Sequence, residues 1–186
     1  MDKEATRREL FARIHSLTQA ARSRHSAEIR NFLSEDAKFR EAKTVFAYLN
    51  LPGEPCLDSL VSSFPEKRWA FSRVVDGERI VFHEIRNLEE AIQGNFGIRE
   101  PDPSRHPELP RSEADLFLVP GVGFDPLNRA RIGRGKGHYD RYLEGSGNDG
   151  RSVSLIGVTF SIQFTDLILE PHDVPMDRIV SETGWI

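Results

Sequence analysis

The chain predicts an α/β fold: a three-layer sandwich built around a mostly parallel central sheet. Three observations carry that reading. Apolar residues recur at helical steps in some stretches and in compact β-branched runs in others, and the two kinds of stretch alternate. The strand runs, such as Leu116-Phe117-Leu118-Val119, are apolar at consecutive positions, as strands covered on both faces must be. At 186 residues the chain can bury a core without disulfides or a structural metal, and residues 1–186 read as a single domain.

Residues 2–24 read as an amphipathic helix, with Leu10, Ile14, Leu17 and Ala21 on one side and charged residues on the other. Residues 26–40 read as a second helix, with Ser26 as its cap and Ile29, Phe32, Leu33 and Phe39 as its apolar side. Thr44 to Leu49 is a strand, followed by a turn at Pro52-Gly53. A short helix is expected from Leu57 to Phe64. Trp69 to Val75 and Arg79 to Ile85 form a hairpin around Asp76-Gly77. Leu88 to Gln93 reads as a short helix. Residues 94–111 hold four prolines, which exclude a helix or a central strand. Asp115 to Val119 and Val153 to Phe160 are buried strands, with a helix at Tyr139 to Leu143 between them. Ile162 to Leu169 fits a helix or a loop, and Arg178 to Ser181 a last short strand.

Composition narrows the function. Lys and Arg number 25 against 29 Asp and Glu, for a net charge of −4. Nonspecific nucleic-acid binding needs a positive surplus to release counterions, so no nucleic-acid partner is expected. No apolar run approaches the ~20 residues of a membrane span, and no secretory pattern follows Met1, so no membrane partner is expected. The one cysteine, Cys56, fits a reducing compartment, taken as the cytoplasm. A monomer is expected.

Residues 120–141 carry the chemistry. Five of the 14 glycines (Gly121, Gly123, Gly133, Gly135 and Gly137) fall here, interleaved with Arg129, Arg131, Arg134, Lys136 and Arg141. Glycines let backbone N–H groups approach a ligand closely, and the basic side chains and a following helix start add positive charge. That combination suits a polyphosphate, although the spacing is neither the P-loop nor the dinucleotide pattern. A solvated basic loop is the alternative on local features. A polyphosphate calls for Mg2+, for which Asp140 is the nearest carboxylate and Asp173 and Asp177 further candidates. Aspartates beside prolines are also common turn formers.

The two segments Pro-Gly-Val-Gly-Phe-Asp at 120–125 and Arg-Ile-Gly-Arg-Gly-Lys-Gly-His-Tyr-Asp at 131–140 resemble the signature of the 5-formyltetrahydrofolate cyclo-ligase family. The resemblance extends in order along nearly the whole chain. Lys3 and Arg7 resemble its first ATP-binding pair, and Leu49 and Glu54 its folate-contacting positions. Residues 95–101, 156–163 and 173–177 resemble further family segments. Two departures stand out. His138-Tyr139 replaces a frequent pair of tyrosines, and the stretch Pro126 to Ala130 is one residue longer.

The resemblance implies a Rossmann-like fold of the NagB/RpiA/CoA-transferase type. It also implies ATP-dependent conversion of 5-formyltetrahydrofolate, polyglutamylated forms included, to 5,10-methenyltetrahydrofolate, through phosphorylation of the formyl oxygen and ring closure by N10. On this reading Arg134 and Lys136 are catalytic. Lys3, Arg7, Arg131, Gly133, Gly135, Gly137, His138 and Tyr139 bind ATP together with Arg134 and Lys136. Leu49, Glu54, Phe96 and Tyr139 bind folate, and Asp140 and Asp173 hold Mg2+. Phe124 is either a slot-lining or a core residue. Without the resemblance, Lys3 and Arg7 fit a solvated helix face and Glu54 a solvated turn. His15, His25, His83, His106 and His172 show no metal-ligand spacing and receive no catalytic role. A non-catalytic folate- or nucleotide-binding paralogue, or another ATP-using enzyme of related fold, is the alternative.

Overall fold

The computed structural model describes residues 2–94, 98–144 and 153–186. Helix α1 spans Lys3–Ser16, α2 spans Gln19–Glu35 and the short α3 spans Ala37–Glu41. The first helix boundary therefore lies at Leu17–Thr18, not near residue 25. Leu17 is extended, and the Thr18 hydroxyl accepts the Ala21 N–H, a standard N-cap. Ser26 caps nothing. It is buried within α2 and accepts the Cys56 N–H at 3.1 Å. Asp36 breaks the second helix and caps α3 by accepting the Phe39 N–H.

Strand β1 is Thr44–Ala47, and α4 is Asp58–Ser63. Strands β2 (Arg68–Val75) and β3 (Arg79–Glu84) form the expected hairpin, with φ of 55° at Asp76 and 68° at Gly77. Residues 88–93 are not a helix. A single 3₁₀ turn at Leu88–Glu90 leads into β4 (Ile92–Gln93), which pairs with β5 (Arg99–Glu100). The proline-rich stretch also holds β6 (Glu108–Leu109), an edge strand on β3 flanked by Pro107 and Pro110. Edge placement tolerates prolines, because no ladder donor is needed on the outer side.

The remaining elements are β7 (Leu116–Pro120), β8 (Gly123–Phe124), β9 (Arg131–Ile132), α5 (His138–Leu143), β10 (Ser154–Val158), β11 (Arg178–Ser181) and β12 (Gly184–Trp185). Residues 162–169 form no α-helix: a 3₁₀ turn at Ser161–Gln163 gives way to irregular chain.

The main sheet runs β12-β11-β10-β7-β1-β2-β3-β6. Strands β11, β10, β7, β1 and β2 are parallel; β12, β3 and β6 pair antiparallel with their neighbours. The period of two divides each parallel strand between two cores. Val45, Ala47, Leu116, Leu118, Ile156 and Val158 face α2, α3 and α4. Phe46, Phe117, Val119 and Leu155 face the side that carries α5. This is the expected three-layer arrangement. A third, smaller core joins Leu10 of α1 to Val122, Ala130 and Ile132, so α1 packs on the β8–β9 ribbon.

Phe124 belongs to the core. Its ring is fully buried and fills the space above Gly157, where an added Cβ would fall 2.6 Å from the ring and 3.1 Å from Met176. Gly157→Ala is therefore expected to overpack this site and cost about 1–3 kcal/mol, measured by denaturant unfolding.

Candidate functional site

Two pockets open beside each other, and α1 lines both. Residues at three- and four-residue steps share one face of a helix. Lys3 and Arg7 face a basic pocket of about 290 Å³, while Phe11, Ile14 and His15 face a second pocket of about 240 Å³. The loop 133–137 forms the wall between them. Gly133, Gly135, Lys136 and Gly137 line the basic pocket, and Arg134 lines the other.

The basic pocket gathers Lys3, Arg7, Arg131, Lys136 and Arg141 against Asp140, Glu144 and Asp173. Its loop is held from several sides. Arg7 donates from Nε to the Gly133 carbonyl at 2.8 Å. Arg131 pairs with Asp140 at 2.6 Å, and its guanidinium lies 5.6 Å from the Tyr139 ring centre. Arg141 donates to the Glu78 carbonyl, tying α5 to the turn of the β2–β3 hairpin. Gly135 (φ +96°) and Gly137 (φ +63°) hold conformations that L side chains rarely adopt, so the loop needs glycine at both. Among the described residues Lys136 has no hydrogen bond or ion pair, which leaves its ammonium available to an anion.

The second pocket lies beyond the carboxyl ends of β1, β7 and β10, which supply Leu51–Glu54, Gly121–Val122 and Gln163. Parallel sheets place ligands at this edge. Gln163 is fully buried and pins the wall. Its Nε2 donates to the carbonyls of Gly121 and Val122, both at 3.0 Å, and its Oε1 accepts the Phe160 N–H. Burial pushes the Glu54 carboxyl above its ordinary range, against the Leu51 N–H at 2.9 Å and Arg134 at 3.6 Å. The Arg134 guanidinium also lies 5.3 Å from the Phe11 ring centre.

The structure thus gathers most of the expected site residues, with some rearrangement. Arg134 faces Glu54 rather than the basic pocket. Leu49 is buried in the main core, and Leu51, two residues on, reaches the pocket. Tyr139 lines neither pocket; its hydroxyl donates to Ser72 Oγ at 3.3 Å. His138 also lines neither, and its Nε2 meets the Gly77 carbonyl at 3.2 Å. Phe96 lies outside the described residues. Phe11, Ile14 and His15 were not expected at a site. Continuing the four-residue step from Lys3 and Arg7 reaches Phe11 and His15, so that signal was present.

The expected metal carboxylates, Asp140 and Asp173, line the same pocket but differ in their partners. Asp140 gives one oxygen to Arg131 and keeps the other. Asp173 sits beside Glu170 and His172, with ligand atoms of the three within 4.8 Å of one another. Asp173 also accepts the Glu170 N–H and lies 3.8 Å from Lys3. Carboxylate oxygens at the edge of a cationic pocket suit Mg2+, whereas an imidazole does not. Asp177 is elsewhere: its side chain accepts the Leu155 N–H, a structural bond.

Fold and site define an α/β enzyme with a cationic, glycine-walled pocket beside a second pocket that holds a sheltered carboxylate. The family described as "5-formyltetrahydrofolate cyclo-ligase family" matches residues 1–182, and the chain belongs to it. The 5-formyltetrahydrofolate cyclo-ligase of Mycolicibacterium smegmatis is 29% identical over 195 residues, spanning 96% of this chain and 93% of that one. The NMR structure of Aquifex aeolicus 5,10-methenyltetrahydrofolate synthetase is 32% identical, with a TM-score of 0.82 over 100% of this chain and 92% of that one. The Mycoplasma pneumoniae 5,10-methenyltetrahydrofolate synthetase shares the fold, with a TM-score of 0.79, 24% identity and coverage of 98% and 99%.

Arg131→Ala leaves Asp140 unpaired in a half-buried site and is expected to cost about 3 kcal/mol, while Lys136→Ala leaves stability unchanged; denaturant titrations separate them. A carboxyl whose folded pKa is raised binds more protons in the folded state, so its ionisation lowers stability as pH rises from the ordinary carboxylate value through the raised one. Glu54→Gln should therefore remove that loss, and its melting temperature relative to the parent should rise across this window.

Proposed function

We propose that the basic pocket receives the triphosphate of MgATP and that the pocket behind Arg134 receives 5-formyltetrahydrofolate. The chain then performs the family's ATP-dependent ring closure to 5,10-methenyltetrahydrofolate, releasing ADP and phosphate. The observation that carries this assignment is the shared wall: one short loop turns its glycines and Lys136 to one pocket and Arg134 to the other. A phosphoryl group passing between two bound substrates needs that adjacency.

The formamide oxygen is a poor leaving group. It attacks the γ-phosphorus, and the bond to the β,γ-bridging oxygen breaks as ADP departs. N10 then attacks the activated formyl carbon, the C–O bond breaks, phosphate leaves and N10 loses its proton. Phosphoryl transfer asks the protein chiefly for positioning and charge stabilisation. Lys136 meets the γ-phosphate, and Arg134 stabilises charge on the side facing the formyl oxygen. Lys3, Arg7 and the amides of 133–137 hold the remaining phosphates. Glu54 accepts the pterin's amino and ring N–H donors. Asp173 and Asp140 hold Mg2+, which when bound neutralises charge on the phosphate oxygens.

Among the described residues no helix is long and apolar enough to cross a membrane. The half-buried, free Cys56 supports a reducing compartment, for which we keep the cytoplasm, and we take residues 1–186 as one monomeric catalytic unit. The reading also leaves room for polyglutamylated folates, whose tails extend from the pocket.

With saturating MgATP and 5-formyltetrahydrofolate, methenyl absorbance should appear; its absence overturns the proposal. Lys136→Ala should lower kcat by about 10²-fold or more while melting as the parent does. Glu54→Gln should raise the KM for the folate by about 10-fold, with a much smaller effect on the KM for ATP.

A further inference from the structure

The folate pocket has a polar side chain at its rim that nothing else in the fold uses. His15 ends the lining face of α1 and is exposed, and among the described residues it makes no hydrogen bond or ion pair. Pro52, also exposed, lines the same pocket. The other lining residues are different in kind. Val122 and Gln163 are buried, and the Glu54 side chain keeps only 10% of its exposure. The pocket therefore runs from a sheltered carboxylate, past the apolar side chains of Phe11 and Ile14, to an open rim at His15.

That polarity orients a folate. Glu54 offers acceptors, so the pterin end with its N–H donors enters first. The opposite end of 5-formyltetrahydrofolate is an aminobenzoyl glutamate carrying two carboxylates. These cannot lie beside Glu54, because like charges in a sheltered site repel and lose solvation. They are left at the rim. Arg134, the pocket's cationic group, is already engaged with Glu54 at the loop wall. His15 remains, with an imidazole N–H that can donate to a carboxylate.

We infer that His15 is a specificity residue that receives the carboxylate tail of the folate. The inference rests on the folate reading of this pocket. It predicts that the tail contributes to binding through His15, whereas phosphoryl transfer, which happens at the far wall, is indifferent to it.

The test is steady-state kinetics on the parent, His15→Ala and His15→Lys. Two substrates are compared: 5-formyltetrahydrofolate and the corresponding 5-formyltetrahydropteroate, which lacks the glutamate. His15→Ala should raise the KM for the glutamate-bearing substrate about 3–10-fold. Its kcat should change less than twofold, and its KM for ATP not at all. His15→Lys, which keeps an N–H donor at the rim, should restore the KM. The truncated substrate should show the same KM with all three proteins. Equal shifts for both substrates would assign His15 a packing role and overturn the inference, as would no shift for either. Glu54→Gln, run alongside, isolates the underlying reading: if it leaves the KM of both substrates unmoved, the folate assignment of the pocket fails, and the role of His15 with it.

Discussion

The ion pair between Arg131 and Asp140 sets the shape on which the site depends. It joins the first residue of β9 to the first turn of α5, nine residues apart, and closes the glycine-spaced loop into a ring. The Arg131 side chain is 4% exposed and that of Asp140 21%, so the pair is sheltered from water and salt. Removing one partner would leave the other charge uncompensated, which makes the pair hard to break locally. Arg7 adds a brace from outside by binding the Gly133 carbonyl. The loop is therefore braced at both of its ends by the protein's own side chains.

A second constraint is electrostatic. Glu54 and Arg134 face each other within the second pocket, Arg134 from the loop that separates it from the basic one. Sheltering the carboxylate is unfavourable in itself, as its raised pKa shows, and Arg134 offsets part of that cost. This cation sits in the loop that the two pockets share, with its side chain on the Glu54 side. The fold also economises on elements: α1 supplies ligands to both pockets from one face, and Leu10 on that helix anchors it to Val122, Ala130 and Ile132.

Much of the site is legible in the chain because its chemistry is local. Gly133 to Gly137 with Lys136 form one contiguous cradle, and the spacing of Lys3 and Arg7 places them on one helical face wherever that helix packs. Legibility fails where a side chain's direction depends on a neighbour far away in sequence. Arg134 looks like its neighbours on paper, yet Glu54 draws it to the other pocket. Tyr139 is turned inward by Ser72 and by Arg131 above its ring. Leu49 falls on the core side of its segment and Leu51 on the open side. The break at Thr18 follows the same logic in reverse: its capping bond is local and could have been read, but the apolar spacing runs on past it.

The sequence by itself determined the α/β class, the largely parallel sheet and the location of the glycine-spaced basic loop. Each of these follows from short-range properties: apolar runs at consecutive positions, the period of the helices, and glycines alternating with cations. Only the tertiary structure decided that the loop is a partition between two pockets and that α1 lines both. It also decided that His15 stands at an open rim while Glu54 lies sheltered. These facts arise from packing between residues more than a hundred positions apart, as with Arg7 and Gly133. No local pattern encodes which way a side chain turns when two such segments meet.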